Sequence, residues 1–154
     1  MFVRVATVVL IRNCLNALGD NGILLGSFDC NTDPVSSLKA YTNEPGAKLL
    51  LNALVMINSE YGANFDMEQF KYVGRFDAEK KTTDHYAEAQ SRQVIKVDGK
   101  EYVFEAGERV IIFHCRKRSV HEIGEYAKIA GGAVRKAYFD QNGFLCLAWM
   151  EKAT

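Results

Sequence analysis

The chain has 154 residues, 48% of them hydrophobic and 25% charged, which suits one compact soluble domain with a real core. Its 19 Lys and Arg balance 19 Asp and Glu, so no net field favours nucleic acid or an anionic membrane. The local run Arg116, Lys117, Arg118 reads as a solvated strand end rather than a phosphate-tracking patch.

In chain order, the opening Met1 to Leu18 is apolar but is interrupted by Arg4 and Arg12. It has no small-residue cleavage site after it and falls short of the roughly 20 apolar residues a bilayer needs, so an intracellular, cytoplasmic protein is expected. Val8, Ile11, Leu15 and Leu18 recur at helical spacing and Gly19-Asp20-Asn21-Gly22 stops the helix, although Val3, Val5, Val8 and Val9 equally suit a strand. Gly22 to Phe28 is a continuous apolar run, as expected of a strand buried on both faces of a parallel sheet. Asp33-Pro34 opens a short helix to Ala40, and Pro45-Gly46 precedes a long helix through Leu50, Leu54 and Ile57 that Gly62 ends.

After Phe70 the pattern changes to strands: Tyr72 to Phe76, Thr83 to Val97, Glu101 to Phe104 and Glu108 to Arg116. Asp98-Gly99 between two alternating runs predicts a hairpin. Ser119 and Glu122 have capping-box spacing ahead of a helix with Ile123, Tyr126, Ala127 and Ala130 on its apolar face, which Gly131-Gly132 terminates. Ala133 to Phe139 and Phe144 to Met150 form a closing hairpin around Asn142-Gly143. Cys14, Cys30, Cys115 and Cys146 make no CxxC pair, and His85, His114 and His121 have no spacing that puts two on one face. Reduced thiols and no metal site are expected.

Several of these segments share an order with a known family: Gly26 and Asp29 after a hydrophobic strand, Asp33-Pro34, Leu38, Ala40-Tyr41 and Asn52. Asn58-Ser59-Glu60, Gly62 to Asp66, Phe76-Asp77, Gly107-Glu108 and the Asp140 to Leu147 hairpin continue it. In this order residues 22–150 resemble the C-terminal half of the histidine-specific methyltransferases. That family uses S-adenosylmethionine and includes the ergothioneine-pathway histidine methyltransferase and fungal dimethylallyltryptophan N-methyltransferases. The resemblance implies an α/β fold: a truncated Rossmann-like methyltransferase sheet, in residues 1–44 and 118–154 of a single domain, with an inserted α+β substrate-binding lobe over 45–117. The cofactor-binding half of the family is not matched, and neither GxGxxG nor GxGxG occurs in the chain. Without a glycine turn for close backbone approach and a carboxylate for the ribose hydroxyls, no cofactor is expected to bind.

The resemblance also implies site residues. Tyr41 matches the family tyrosine at the carboxylate end of the amino-acid substrate; Phe113 and Cys115 stand where the family's imidazole-binding glutamate and serine lie; His85 replaces a methionine beside the ring. Period-two alternation places Ile111, Phe113 and Cys115 on one strand face, an apolar wall that does not bind histidine through a carboxylate. His85 lies in a stretch with Asp84, Tyr86 and Glu88, where a carboxylate could tune an acid/base imidazole. His114 should point away from the Phe113 face. Each residue also has a purely structural reading: Phe113 as core, Cys115 as an inert buried thiol, Tyr41 as a packed or capping side chain, His85 as a surface or satisfied core histidine.

Three functions remain open at this level. One is an enzyme of specialised metabolism that has lost methyl transfer and acts on an amino-acid-derived aromatic compound by acid/base-assisted cyclisation or rearrangement, with His85 and Tyr41 as catalytic candidates and Ile111, Phe113 and Cys115 binding substrate. The second is a partner subunit of a full-length methyltransferase. The third is a fragment whose upstream reading frame restores the glycine-rich loop. An unpaired Ile23 to Phe28 edge predicts a homodimer or pairing with a methyltransferase homologue.

Overall fold

The computed structural model describes residues 2–153; Met1, where the apolar opening begins, lies outside them. The chain divides into two compact units, residues 1–32 with 117–154 and residues 33–116. The first holds α1 (Phe2–Leu18), β1 (Leu24–Asp29), α4 (Val120–Ile129), β7 (Gly132–Phe139) and β8 (Leu145–Lys152). The second holds α2 (Pro34–Thr42), α3 (Glu44–Tyr61), β2 (Phe70–Asp77), β3 (Thr82–Ala89), β4 (Gln93–Val97), β5 (Lys100–Phe104) and β6 (Arg109–Arg116). No helix among the described residues is long and apolar enough to cross a membrane.

In the first unit the apolar opening is a helix, since its buried positions Val8, Ile11 and Leu15 follow helical spacing and meet Ile123, Tyr126 and Ala127 of α4 in one core. Ser119 and Glu122 form the expected capping box at the start of α4. Beneath these helices the sheet runs β1-β8-β7, every pair antiparallel. Cys146, Ala148 and Met150 point into the core, while Leu145 before them and Leu147 among them are exposed. This corrects the expectation for β1: it pairs antiparallel with β8, and alternate residues face out, Leu25 being 56% exposed. An apolar run is no proof of burial on both faces: α1 and α4 pack on one face of this sheet, and among the described residues of this unit no helix packs on the other.

The basic triplet is also corrected. Lys117 is 1% exposed and its Nζ lies 2.5 Å from Asp29 Oδ2. The Arg118 backbone N–H donates to the Asp29 carbonyl, and its guanidinium donates to Thr7 Oγ1 and lies over the Tyr126 ring. Asp29 Oδ1 in turn accepts the Asn31 N–H. Lys117 and Arg118 thus tie the segment entering α4 to the end of β1 rather than dangling in solvent.

In the second unit β2-β3-β6 form an antiparallel sheet, and β4-β5 a separate hairpin. Asp98 and Gly99 at its turn both have positive φ, 47° and 72°, as the tight hairpin requires. The single strand predicted over Thr83 to Val97 is two strands: Gln90 leaves β3 by bonding to Gln69 and Glu68 carbonyls, and β4 then pairs only with β5. Leu54 of α3 sits with Phe70, Ala87, Ala89 and Ile95 in the core. Asn43 caps both helices, ending α2 and accepting the Gly46 N–H at the start of α3. Gly62, with φ of 59°, ends α3, and Asn58 fixes the exit by exchanging two 2.8 Å hydrogen bonds with the backbone of Phe65.

Removing one member of a buried ion pair leaves the other charge uncompensated. Asp29→Ala, which removes the carboxylate facing the buried Lys117 ammonium, is expected to cost about 3 kcal/mol, with Lys117→Met milder; urea unfolding of the two variants measures both.

Candidate functional site

The site lies in the second unit, on the face of the β2-β3-β6 sheet that α2 covers. Ser37, Leu38 and Tyr41 share one face of α2, and Tyr41 stands on its last turn. On β3, Thr83, His85 and Ala87 alternate onto the covered face, all three fully buried. Opposite them on β6 come Cys115 and Phe113, paired with Thr83 and His85. The Tyr41 ring lies on the His85 imidazole at 4.4 Å between centroids, Phe113 lies 5.4 Å from His85, and Tyr41 and Phe113 are 6.3 Å apart.

Tyr41, His85 and Phe113 are therefore brought together, and Cys115 shares their face one strand pair along. Ile111 is not with them. The register shifts between His85 and Tyr86, leaving Ile112 as the extra residue of a β-bulge, so Ile111 pairs with Tyr86 and faces the other side, exposed. A bulge inverts alternation beyond it, and that is why period-two counting misplaced Ile111. Ile112 and Val110 turn toward the α3 core instead.

The neighbour expected to tune His85 is also different. Asp84, Tyr86 and Glu88 point to the opposite face of β3. There Asp84 holds His114 Nδ1 at 2.6 Å, so His114 does point away from the Phe113 face. Glu88 binds both Lys71, at 2.7 Å, and Arg109, at 2.6 Å. His85 instead shares a 2.7 Å hydrogen bond between its Nδ1 and the Tyr72 hydroxyl, with the two rings stacked at 5.8 Å and 23°. Burial, with the Tyr41 phenol adding to it, raises the Tyr72 pKa above its ordinary value of 10.0, so the hydroxyl keeps its proton at neutral pH.

Sequence reasoning missed Tyr72 and the glycine that serves it. Gly74 pairs with His85 across β2 and β3, and a Cβ there would stand 2.5 Å from Tyr72 Oη and 3.0 Å from Leu38 Cδ2. The missing side chain is the path along which Tyr72 reaches His85. An isolated glycine inside an alternating strand was the available signal, because it marks a close approach. Among the described residues no group of three or more His, Cys, Asp or Glu is placed to hold a metal.

Two units of sheet and helix make this a mixed α/β protein. The family model for histidine-specific, S-adenosylmethionine-dependent methyltransferases matches residues 2–152, and the chain belongs to that family. Histidine N-alpha-methyltransferase of Mycobacterium tuberculosis (strain CDC 1551 / Oshkosh) is 31% identical over 97 residues, 60% of this chain and 30% of that protein. Among solved structures, the CcbJ methyltransferase from Streptomyces caelestis is similar at 10% identity and a TM-score of 0.47, over 95% of this chain and 52% of that one. An S-adenosylmethionine-dependent methyltransferase from Clostridium acetobutylicum ATCC 824 is similar at 9% identity and 0.46, over 96% and 51%. The chain thus spans 30% of the curated relative it matches and about half of these solved chains.

Hydrogen bonds from Lys71 and then Arg109 hold the Glu88 carboxyl below the usual carboxylate range. A depressed folded pKa means that its stabilisation is complete above the unfolded value of about 4.3 and fades as pH falls through the folded pKa. Urea midpoints should therefore decline in acid below that value, and Glu88→Gln should flatten the decline.

Proposed function

We propose that this chain binds an amino-acid-derived aromatic compound at the Tyr41, His85, Phe113 cluster and assists its cyclisation or rearrangement by proton transfer, without transferring a methyl group by itself. The observation that carries this reading is a fully buried imidazole, hydrogen-bonded through Nδ1 and enclosed by aromatic rings. Burial among rings with a few convergent polar groups suits an aromatic ligand, and imidazole is the usual proton carrier near neutral pH. Phe113 is 41% exposed and offers a stacking surface. At 4.4 Å the Tyr41 and His85 rings already touch, so a ligand reaches the imidazole by displacing Tyr41 from the end of α2. Tyr41 then supplies a phenol hydroxyl to a carboxylate or carbonyl, His85 is the acid/base group, and Cys115 lines the adjoining wall.

The family depends on S-adenosylmethionine; two features of the first unit support the reading that this chain does not bind it by itself. A cavity of about 260 Å³ beside β1 is lined by Leu10, Ile11, Cys14, Leu24, Phe28 and Met150 among others, with no carboxylate to take ribose hydroxyls. Gly26 beside it is no cofactor cradle, since a Cβ there would meet Met150 Cε at 2.8 Å and Phe28 Cε2 at 2.9 Å. Calorimetry of the isolated chain should show no one-to-one complex with S-adenosylmethionine at micromolar affinity; such a complex would overturn this part of the reading. For the reaction, metabolite profiling with and without the gene should reveal an accumulated compound, on which His85→Ala turns over about 100-fold more slowly with the fold intact. Equal turnover by the mutant removes His85 from the chemistry.

A second reading, a partner that pairs with a second copy or with a longer methyltransferase homologue, is favoured by the first unit. The outer edge of β1 has no strand beside it among the described residues, and Leu25, Leu147 and Tyr138 line up exposed on one sheet face. Light scattering at micromolar concentration should then report a dimer, and a monodisperse monomer that captures no such homologue argues against this reading.

A further inference from the structure

We propose that Tyr72 is the positioning residue of this site: its hydroxyl donates to His85 Nδ1 and fixes the neutral imidazole as the Nε2–H tautomer, so that His85 meets a ligand as a hydrogen-bond donor. Tyr72 touches no ligand in this arrangement and acts only through His85.

The direction of the bond follows from the chemistry of the pair. A phenol O–H is a stronger acid than a neutral imidazole N–H, and an unprotonated imidazole nitrogen is a better acceptor than a phenol oxygen. Of the two ways to fill the 2.7 Å gap, O–H···N is therefore the stronger. A neutral imidazole has one donor and one acceptor nitrogen, so an accepting Nδ1 puts the proton on Nε2. Burial raises the pKa of the phenol and keeps it protonated at neutral pH.

The geometry is specific to the hydroxyl. Tyr72 and Gly74 lie two apart on β2, on the face that carries His85, and the Tyr72 side chain runs along the strand over the bare Gly74 Cα. Around the imidazole, α2 contributes the Tyr41 phenol, β2 contributes Tyr72 and β6 contributes Phe113, with the Cys115 thiol one pair along. Asp84 and Glu88, the nearest acids on β3, are turned to the other face and engaged with His114, Lys71 and Arg109. The hydroxyl that sets the tautomer is thus that of Tyr72, not a carboxylate.

The consequence for the site is a preference among ligands and steps. An Nε2–H suits a carbonyl, imine or carboxylate acceptor on the aromatic compound, which it holds by donating a hydrogen bond, and it leaves Nε2 without the lone pair that proton abstraction needs. Abstraction by Nε2 requires the proton to move to Nδ1 and the Tyr72 bond to reverse to its weaker direction. This preference rests on the small-molecule reading above, whereas the tautomer does not.

Two-bond nitrogen–proton correlation spectra of the ¹⁵N-labelled chain at neutral pH decide the matter without substrate. His85 signals are assigned by their loss in His85→Gln, with His114 and His121 as internal references. The expected wild-type spectrum has His85 Nδ1 at the unprotonated position and Nε2 at the protonated one. Tyr72→Phe, which keeps the ring and removes the hydroxyl, should move both toward the averaged values of a tautomer mixture. Gly74→Ala, which pushes the hydroxyl aside, should do the same. A protonated Nδ1 in the wild type overturns the proposal even if neither variant folds, and so do unchanged His85 shifts in a folded Tyr72→Phe. Because no turnover is measured, failure here leaves His85 catalysis standing, and failure to find a substrate leaves the tautomer standing.

Discussion

A buried imidazole nitrogen is expensive unless it is hydrogen-bonded, and the site depends on how His85 Nδ1 meets that requirement. The partner for Nδ1 is a phenol reached from the neighbouring strand, and reaching it dictates much of what surrounds it. Gly74 must lack a side chain, Leu38 of α2 must lie where it does, and Tyr41 must close over the ring from the end of the same helix. Asn43, shared as a cap by two successive helices, sets the sharp junction just beyond Tyr41.

The two faces of β3 have been given opposite tasks. One presents Thr83, His85 and Ala87 to α2 and α3; the other presents Asp84, Tyr86 and Glu88, with the charges of Lys71 and Arg109 and the ring of His114 gathered on them. Separating acids from the imidazole in this way leaves His85 in an aromatic, low-dielectric setting. A hydrogen bond between neutral groups is then electrostatically stronger than it is in water. The bulge at Ile112 contributes to the same separation, since it lets Phe113 remain with His85 while Val110 and Ile112 complete the core under α3.

The first unit is organised by a different constraint. Its three antiparallel strands bury one face against α1 and α4, and the buried Lys117 ties the approach to α4 to Asp29 at the end of β1. Asp29 belongs to the sequence pattern that this chain shares with its family, and its observed work is structural: an accepted backbone hydrogen bond and a buried ion pair. Asn58, in the same pattern, likewise acts by bracing the Phe65 backbone.

Local physics was legible in the sequence. The helices with their Asp33, Asn43 and Ser119 caps, the Gly62 stop, the Asp98-Gly99 turn and the closing hairpin follow from short-range sterics and hydrogen bonds; of these, Asn43 alone had not been singled out. The motif order also identified the methyltransferase family, and the meeting of Tyr41, His85 and Phe113 followed from that resemblance. What lay beyond it was decided between strands. One extra residue in β6 sent Ile111 to the wrong side, and alternation within β3 turned Asp84 and Glu88 away from the histidine they adjoin. The pairing of β2 with β3 brought Tyr72 within reach of it. Periodicity fixes which residues share a face only while the register is regular, and it is silent about which strand lies alongside; those two facts exist only once the chain has folded.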